Sequence, residues 1–205
     1  PYSLANVAQR NLMDTCKVPT INDFVKSEIG RDLLQRAISS YAGGWFECRG
    51  AGYHPNVFAT DLASAYPYII YHLDDTDAGV WVFGDDEDVF WEWMGERTKY
   101  QMGFAEVHVV FDTGLKWHPL CKMSSSGTIV SPRIISGWFT VQEIEEAKQW
   151  PHSQFIIGEY VIHEIEDDEK NKWARPFIDK FYRMKYESEK GTVEYEKAKV
   201  MQNSI

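Results

Sequence analysis

The residues Asp61-Leu62-Ala63-Ser64-Ala65-Tyr66-Pro67 stand between an apolar run at 57–59 and an aromatic, apolar run at 68–71. The first run predicts a buried strand, and the proline after Tyr66 suits the first turn of a short helix that Asp61 or Ser64 caps. A carboxylate at the end of a buried strand, before a turn with exposed backbone N–H groups, can hold a divalent cation beside a polyphosphate. Taken alone, the same residues also fit an aspartate that merely caps a helix.

Upstream, apolar residues recur at helical spacing and predict one helix over about 20–40, with Thr20 and Asn22 as possible N-caps. The sequence Tyr41-Ala42-Gly43-Gly44 ends this helix, because adjacent glycines break a helix and let the backbone approach a partner closely. Strand character returns around a turn at 50–52. We therefore expect a helix that leads into a sheet.

Downstream, residues 74–93 combine clustered aspartates with tryptophans and phenylalanines, and we interpret them as a peripheral, partly helical insertion whose aromatic residues pack in a small core. Alternation over 104–111 predicts a strand, and the β-branched run 154–165 predicts another. Between them, a capping box begins a helix at Thr140 that extends to about Trp150. The middle of the chain is thus expected to be mixed α+β.

The last part of the chain, 171–205, predicts a helical hairpin. Pro176 suits the first turn of one helix, and Gly191-Thr192 offers a C′ glycine and then an N-cap for the next. Nine basic and five acidic residues lie at positions 170–199, a net charge of +4, so the rest of the chain carries −14. Lys199 and Asn203 are spaced so that both can face one ligand, although such a pair is most often a solvated helix face.

Composition limits the classes of function. The chain has 205 residues, of which 44% are hydrophobic and 15% aromatic, which excludes disorder, and its net charge of −10 disfavours general binding to nucleic acids or anionic membranes. Its 3 cysteines are far apart and its 6 histidines lack ligand spacing, so neither disulfides nor a zinc site are indicated. No membrane span or export signal is visible in the sequence, so we expect a cytoplasmic protein.

Three of these patterns together resemble motifs of the family B DNA polymerases, and they occur in the family's order. Residues 61–67 resemble motif A, Asp-x-x-Ser-Leu-Tyr-Pro, with Ala65 in place of leucine. Residues 199–205 resemble the start of motif B, Lys-x-x-x-Asn-Ser-x-Tyr-Gly, and 41–44 resembles the Tyr-x-Gly-Gly element. The helix entry at 176–182 and the length of the insertion are similar to those of protein-primed members.

The resemblance implies an α+β fold: a palm segment, which is an antiparallel β-sheet with helices, and a fingers helical hairpin. It also implies a division of the chain into four parts: a linker and helix leading into the palm (1–44), palm with motif A (45–73), an insertion with palm strands (74–170) and the fingers (171–205).

Roles for the motif A residues are implied one by one. Asp61 would be the catalytic carboxylate and would bind Mg²⁺ or Mn²⁺ together with the Leu62 carbonyl. Ser64 and Ala65 would offer backbone amides to the triphosphate of a deoxynucleotide (dNTP), and Tyr66 would lie under its deoxyribose. The site is therefore expected to take a dNTP with divalent metal.

The other two motifs are implied to contact the nucleotide and the DNA. Lys199 and Asn203 would bind the nucleotide from the fingers, while Arg183 and Lys185 are weaker candidates for phosphate contacts. The residues implied to meet the DNA template and primer are Tyr41, Gly43 and Gly44. A terminal protein that acts as primer and the remainder of the polymerase would be further partners.

The sequence contains no Tyr-x-Asp-Thr-Asp, the motif C that supplies the family's second metal-binding carboxylate. Two-metal nucleotidyl transfer needs carboxylates that hold both ions, so we expect this chain alone not to extend a primer. Two other readings remain open. One is a non-catalytic module that binds nucleic acid or protein and derives from the polymerase fold, and the other is an aromatic-rich domain that binds carbohydrate or protein.

Overall fold

The computed structural model describes residues 4–18, 20–43, 52–53, 55–58, 61–62, 64–74, 76, 78–97, 101–112, 118–150, 153–165 and 172–204. In chain order its elements are α1 (Leu4–Cys16), α2 (Ile21–Phe24), α3 (Glu28–Ser40), α4 (Ala65–His72), β1 (Val80–Gly84), α5 (Glu87–Glu96), β2 (Gly103–Val110), β3 (Lys122–Met123), β4 (Ile129–Val130), β5 (Ile134–Thr140), α6 (Val141–Lys148), β6 (Gln154–Glu164), α7 (Arg175–Glu187) and α8 (Val193–Asn203). None of the helices in these ranges is long and apolar enough to cross a bilayer.

The chain divides into two compact units. The helical unit comprises Pro1–Phe24, Pro55–Ala78 and Asp167–Ile205, and the sheet unit comprises Val25–His54 and Gly79–Glu166. In the sheet unit, four antiparallel strands pair in the order β1-β6-β2-β5, and β3 and β4 form a separate two-stranded sheet. The predicted α+β class with an antiparallel sheet is confirmed.

The core of the sheet unit lies on one face of the main sheet. Alternation along β2 turns Ala105, Val107 and Val109 into this core, while Glu106 and His108 are exposed on the other face. The strands predicted over 104–111 and 154–165 are therefore confirmed as β2 and β6.

Helix α5 contributes aromatic side chains to the same core. Phe90 is 0% exposed and its ring centroid lies 5.4 Å from that of Tyr160 on β6, while Trp91 and Trp93 pack around it. The predicted core packing of these aromatic residues is confirmed, but the peripheral position predicted for 74–93 is wrong for α5, which packs on the core of the main sheet. Strand β1 lies at the edge of that sheet. Burying large aromatic surface outweighs the acidic composition around α5, because Asp85, Asp86 and Asp88 stay exposed.

The capping box predicted at Thr140 is also confirmed. The Thr140 Oγ1 accepts a hydrogen bond from the Glu143 backbone N–H at 3.3 Å, and the Glu143 carboxylate accepts one from the Thr140 backbone N–H at 2.9 Å. These two bonds satisfy N–H groups that the first turn of α6 leaves outside the helical ladder.

The single helix predicted over 20–40 is wrong in one respect, because two helices occupy this range. Thr20 caps α2, since its Oγ1 accepts from the Asp23 N–H at 3.1 Å, whereas Asn22 lies inside that helix. Ser27 then starts α3, with its Oγ accepting from the Gly30 N–H at 2.9 Å. Helix α3 ends at Ser40, directly before the predicted glycine turn.

The buried strand predicted before Asp61 is also wrong for its described residues. Val57 and Phe58 have no strand pairing and are 73% and 87% exposed, and Ala59 lies outside the described residues. The turn predicted at 50–52 lies outside the described residues except for Gly52. An apolar, β-branched run forms a strand only where a partner strand and a core face are available.

The helical unit packs α1, α4, α7 and α8 around a small core. Phe177 on α7 is 0% exposed, lies 4.8 Å from Phe181 between ring centroids, and shares the core with Ala8, Ala198 and Met201. The predicted hairpin and the predicted N-cap are confirmed, since the Thr192 Oγ1 accepts from the Tyr195 N–H at 3.3 Å to start α8. The C′ glycine is wrong, because α7 ends at Glu187 with Ser188 as its C-cap, and Gly191, with φ +92°, lies in the connecting turn.

A buried ion pair joins the residues after α4 to those before α7. Lys172 donates to the carboxylate of Asp74, which is 1% exposed, and also to the His72 carbonyl at 2.9 Å. This contact holds the C-terminal end of α4, the end opposite to Ser64, against the residues that precede α7.

The sheet unit is expected to lose stability in mild acid through His118. This side chain is 2% exposed, stacks on Phe111 with centroids 3.8 Å apart, and has Nε2 at 2.9 Å from the Pro132 carbonyl. Burial lowers the pKa of His118, and the hydrogen bond to Pro132 only partly opposes it. The stabilisation by the neutral imidazole is therefore full above its unfolded pKa of about 6.5 and is lost as pH falls below that value.

Urea unfolding at pH 7.5 and pH 5 measures this dependence. His118→Gln keeps an uncharged donor and should flatten the loss of stability between the two values, whereas the exposed control His108→Asn should leave it unchanged. An equally steep loss in His118→Gln would assign the pH dependence to other groups.

Candidate functional site

The start of α4 has a strained backbone at Ser64. This residue has φ 58° and ψ 38°, a left-handed conformation that is uncommon outside glycine, and its side chain makes no capping bond. Its carbonyl still accepts the first helical bond, from the Tyr68 N–H at 2.9 Å. The next N–H groups, of Ala65 and Tyr66, precede the helix's own ladder and point out of its N-terminus, where they attract anions.

A lysine lies beside this turn. The Lys185 ammonium, on α7, is 3.4 Å from the Ser64 Oγ, and its side chain is half-buried. Sequence reasoning ranked Lys185 behind Lys199 as a phosphate contact, because nothing local signals that α7 packs against the start of α4. The structure thus pairs a cation with a helix N-terminus inside the helical unit.

A cavity of about 360 Å³ opens at this contact, and we name it the lysine cavity. It is lined by two lysines, three tyrosines and two serines: Ser64, Tyr182, Lys185, Tyr186, Ser188, Lys190 and Tyr195. No carboxylate is among these residues, so ammonium groups and hydroxyls dominate its chemistry. Such a lining suits a phosphate-bearing ligand.

A second cavity, of about 390 Å³, adjoins the first at Ser64 and Tyr182, and we name it the aromatic cavity. Its lining combines aromatic, apolar and polar groups: Ser64, Pro67, Tyr68, Tyr71, His72, Ile178, Asp179, Tyr182 and Gln202. Sequence reasoning did not single out Gln202, although it directly precedes Asn203. The sequence signal that could have identified Gln202 is a polar residue at a position of α8 that faces the core.

The predicted motif A residues lie at or before the start of α4. Asp61 and Leu62 are exposed in non-helical chain, and Ala65 and Tyr66 are exposed in the first turn, with Tyr66 80% accessible. Asp61 offers one hard oxygen ligand of the kind that Mg²⁺ prefers. Within the described residues, no three His, Cys, Asp or Glu side chains gather as a metal-ion site.

The other described residues predicted for the site do not line either cavity. Lys199 and Asn203 are exposed on α8 and are not among the residues that line the two cavities. Tyr41 and Gly43 belong to the sheet unit, with Tyr41 77% exposed and Gly43 at φ +84°, a conformation that favours glycine. Gly44 lies outside the described residues.

Comparison with known proteins finds a likeness in fold. The antiparallel sheet with its helices matches a palm-like fragment of a DNA polymerase. Three of the similar solved structures are of phi29 DNA polymerase. The complex with primer-template DNA matches 100% of this chain with a TM-score of 0.57 and 16% identity. The orthorhombic crystal form matches 98% of this chain with a TM-score of 0.60 and 18% identity. The complex with single-stranded DNA matches 100% of this chain with a TM-score of 0.57 and 17% identity.

This chain spans 35% of the length of each of those polymerase structures. No family model and no curated protein sequence matches it. At these identities the likeness establishes the fold alone.

Proposed function

We propose that this chain is the palm and fingers part of a template-directed DNA polymerase of the protein-primed family B kind, and that it binds a dNTP at the start of α4. The observation that carries the proposal is the Lys185 ammonium 3.4 Å from Ser64 Oγ, beside a helix N-terminus that follows the motif A aspartate. The fold likeness over the whole chain supports it.

In this proposal the lysine cavity takes the triphosphate. Lys185 and Lys190 neutralise its charge, and the Ser64 and Ala65 amides hydrogen-bond its oxygens. Asp61 and the Leu62 carbonyl would hold Mg²⁺ or Mn²⁺, and the bound ion would supply charge neutralisation and activation of the primer hydroxyl. Tyr66, which is exposed in the first turn of α4, lies under the deoxyribose in this proposal.

The remaining predicted roles stay proposals for the complete polymerase. Lys199 and Asn203 reach the nucleotide through movement of the fingers at 171–205, and Tyr41, Gly43 and Gly44 approach the DNA backbone. The proposed partners are the DNA template and primer, a terminal protein, and the rest of the polymerase, which supplies the second metal-binding carboxylate.

Metal-dependent nucleotide binding tests the role of Asp61. We expect Mg²⁺ to tighten binding of dTTP, measured by calorimetry, and Asp61→Asn to reduce this enhancement about tenfold or more, because an amide is a far weaker ligand for Mg²⁺ than a carboxylate. Asp14→Asn, on the exposed side of α1 in the same unit, is the charge-matched control and should retain the full enhancement.

The same titration separates the proposal from its alternative. A non-catalytic module derived from the polymerase fold would show no joint binding of dTTP and Mg²⁺, and Asp61→Asn would leave its binding of nucleic acid unchanged. Full Mg²⁺ enhancement in Asp61→Asn would contradict the assignment of Asp61 as the metal ligand.

A further inference from the structure

Gln202 is a buried amide without a partner. The side chain on α8 is 1% exposed, and neither its Oε1 nor its Nε2 has a hydrogen-bond partner among the described residues. Leaving a buried donor and acceptor unpaired costs the desolvation free energy of both groups. A glutamine at this position therefore destabilises the unliganded protein unless some other molecule satisfies it.

The amide borders the aromatic cavity. Because no hydrogen bond holds it, the Gln202 side chain can turn its amide toward the cavity without breaking one. The cavity volume of about 390 Å³ lies within the range of small-molecule sites, roughly 300–1,000 Å³. The unpaired amide and the cavity are thus two independent observations at one place.

The walls of the cavity favour a flat ring. Tyr68, Tyr71, His72 and Tyr182 all line the cavity, and Tyr68 and Tyr182 are both 57% exposed, so aromatic rings form much of its border. Planar heteroaromatic groups stack on such faces. Pro67 and Ile178, both buried, supply apolar contact.

Charge distinguishes this cavity from its neighbour. Asp179 is the acidic group in the lining, and no lysine or arginine lines the cavity, so an anionic group is disfavoured here. The lysine cavity, in contrast, is lined by two lysines and by no carboxylate. A ligand suited to this lining is uncharged and planar, and it offers a donor beside an acceptor to one amide.

We propose that the aromatic cavity is a nucleobase-binding site in which Gln202 recognises a purine edge, pairing with the N6 amino group and N7 of an adenine-type base. Glutamine makes this bidentate contact with adenine because its amide presents an acceptor and a donor side by side. Of the residues proposed for the incoming dNTP, Ser64 lines this cavity but Tyr66, Lys199 and Asn203 do not, so the side chains proposed here to hold the base differ from those proposed for the incoming dNTP.

Binding of 2′-deoxyadenosine, which has no phosphate, tests the inference separately from the proposed triphosphate site. In NMR titrations of the ¹⁵N-labelled chain we expect the Gln202 side-chain amide to shift, and Gln202→Leu to weaken binding about ten- to a hundredfold. The analogue 7-deaza-2′-deoxyadenosine lacks the N7 acceptor and should bind about tenfold more weakly to the unaltered protein.

Controls keep the result unambiguous. Gln202→Leu should raise the melting temperature of the unliganded protein, because it removes unpaired buried polar atoms, and Gln202→Glu, which lacks the amide donor, serves if the leucine variant fails to fold. Gln35→Leu, an exposed glutamine of the sheet unit, should leave nucleoside binding unchanged.

Equal affinity of Gln202→Leu and the unaltered protein for the nucleoside would overturn the inference, as would an unshifted Gln202 amide at saturation. Binding of dTTP that depends on Lys185, with no nucleoside binding, would also overturn it while leaving the proposed function intact. Failure of dTTP to bind, with the nucleoside still bound through Gln202, would contradict the proposed function and leave this inference intact.

Discussion

Lys185→Met is expected to weaken binding of dTTP about ten- to a hundredfold, because a charged hydrogen bond to phosphate is lost from a half-buried position. Lys185 is the cation that contacts the turn at Ser64, whereas Lys190 is exposed and can only partly compensate. Methionine keeps most of the apolar stem, so packing of α7 against α4 is largely preserved. Calorimetric titration of dTTP in the presence of Mg²⁺ measures the change.

The matched control for this change is Lys197→Met on α8. It alters the net charge by the same amount at an exposed position that lines neither described cavity. If both variants lose affinity equally, the effect belongs to the overall charge of the hairpin and not to a contact at Ser64. A higher salt concentration should then reduce the losses in both variants.

Phe177→Ala is expected to lower the free energy of unfolding of the helical unit by about 3–5 kcal/mol. The side chain is 0% exposed and central to the core formed by α1, α7 and α8, so truncation leaves a cavity that the short helices cannot fill. Against a total stability of roughly 5–15 kcal/mol for an ordinary domain, this change removes much of the hairpin's stability.

Hydrogen exchange of the α7 and α8 backbone amides measures this loss of stability. Phe58→Ala is the control, since Phe58 belongs to the same unit but is 87% exposed, and its truncation should change stability by no more than about 0.5 kcal/mol. Unchanged protection of α7 in Phe177→Ala would show that the hairpin is held by other contacts. Weakened dTTP binding in the same variant would link the hairpin core to the site.

Local signals made the elements with clear caps predictable. The capping box at Thr140 and the N-cap at Thr192 each act within one helical turn, and the structure forms both. The break at Ser27 acts just as locally, but the apolar period over 20–40 masked it. A capping side chain satisfies otherwise unpaired N–H groups, so it can start a new helix inside a continuous apolar pattern.

Long-range features were less predictable. The run at 57–59 has strand composition, but the four sheet strands come from 80–164, so composition could not show that Val57 and Phe58 lack a partner. Likewise the contact between Lys185 and Ser64 joins positions 121 residues apart. The unpaired amide of Gln202 depends on how α8 packs, which no pattern in a single sequence reports.

The most direct test of the central claim is paramagnetic broadening by Mn²⁺ in NMR spectra of the ¹⁵N-labelled chain, recorded with and without dTTP. If a metal–triphosphate complex binds at the start of α4, Mn²⁺ with dTTP should broaden the Leu62, Ser64 and Ala65 amides, and Asp61→Asn should abolish this effect. Broadening that is spread over the acidic surface and is the same with and without dTTP would contradict the account.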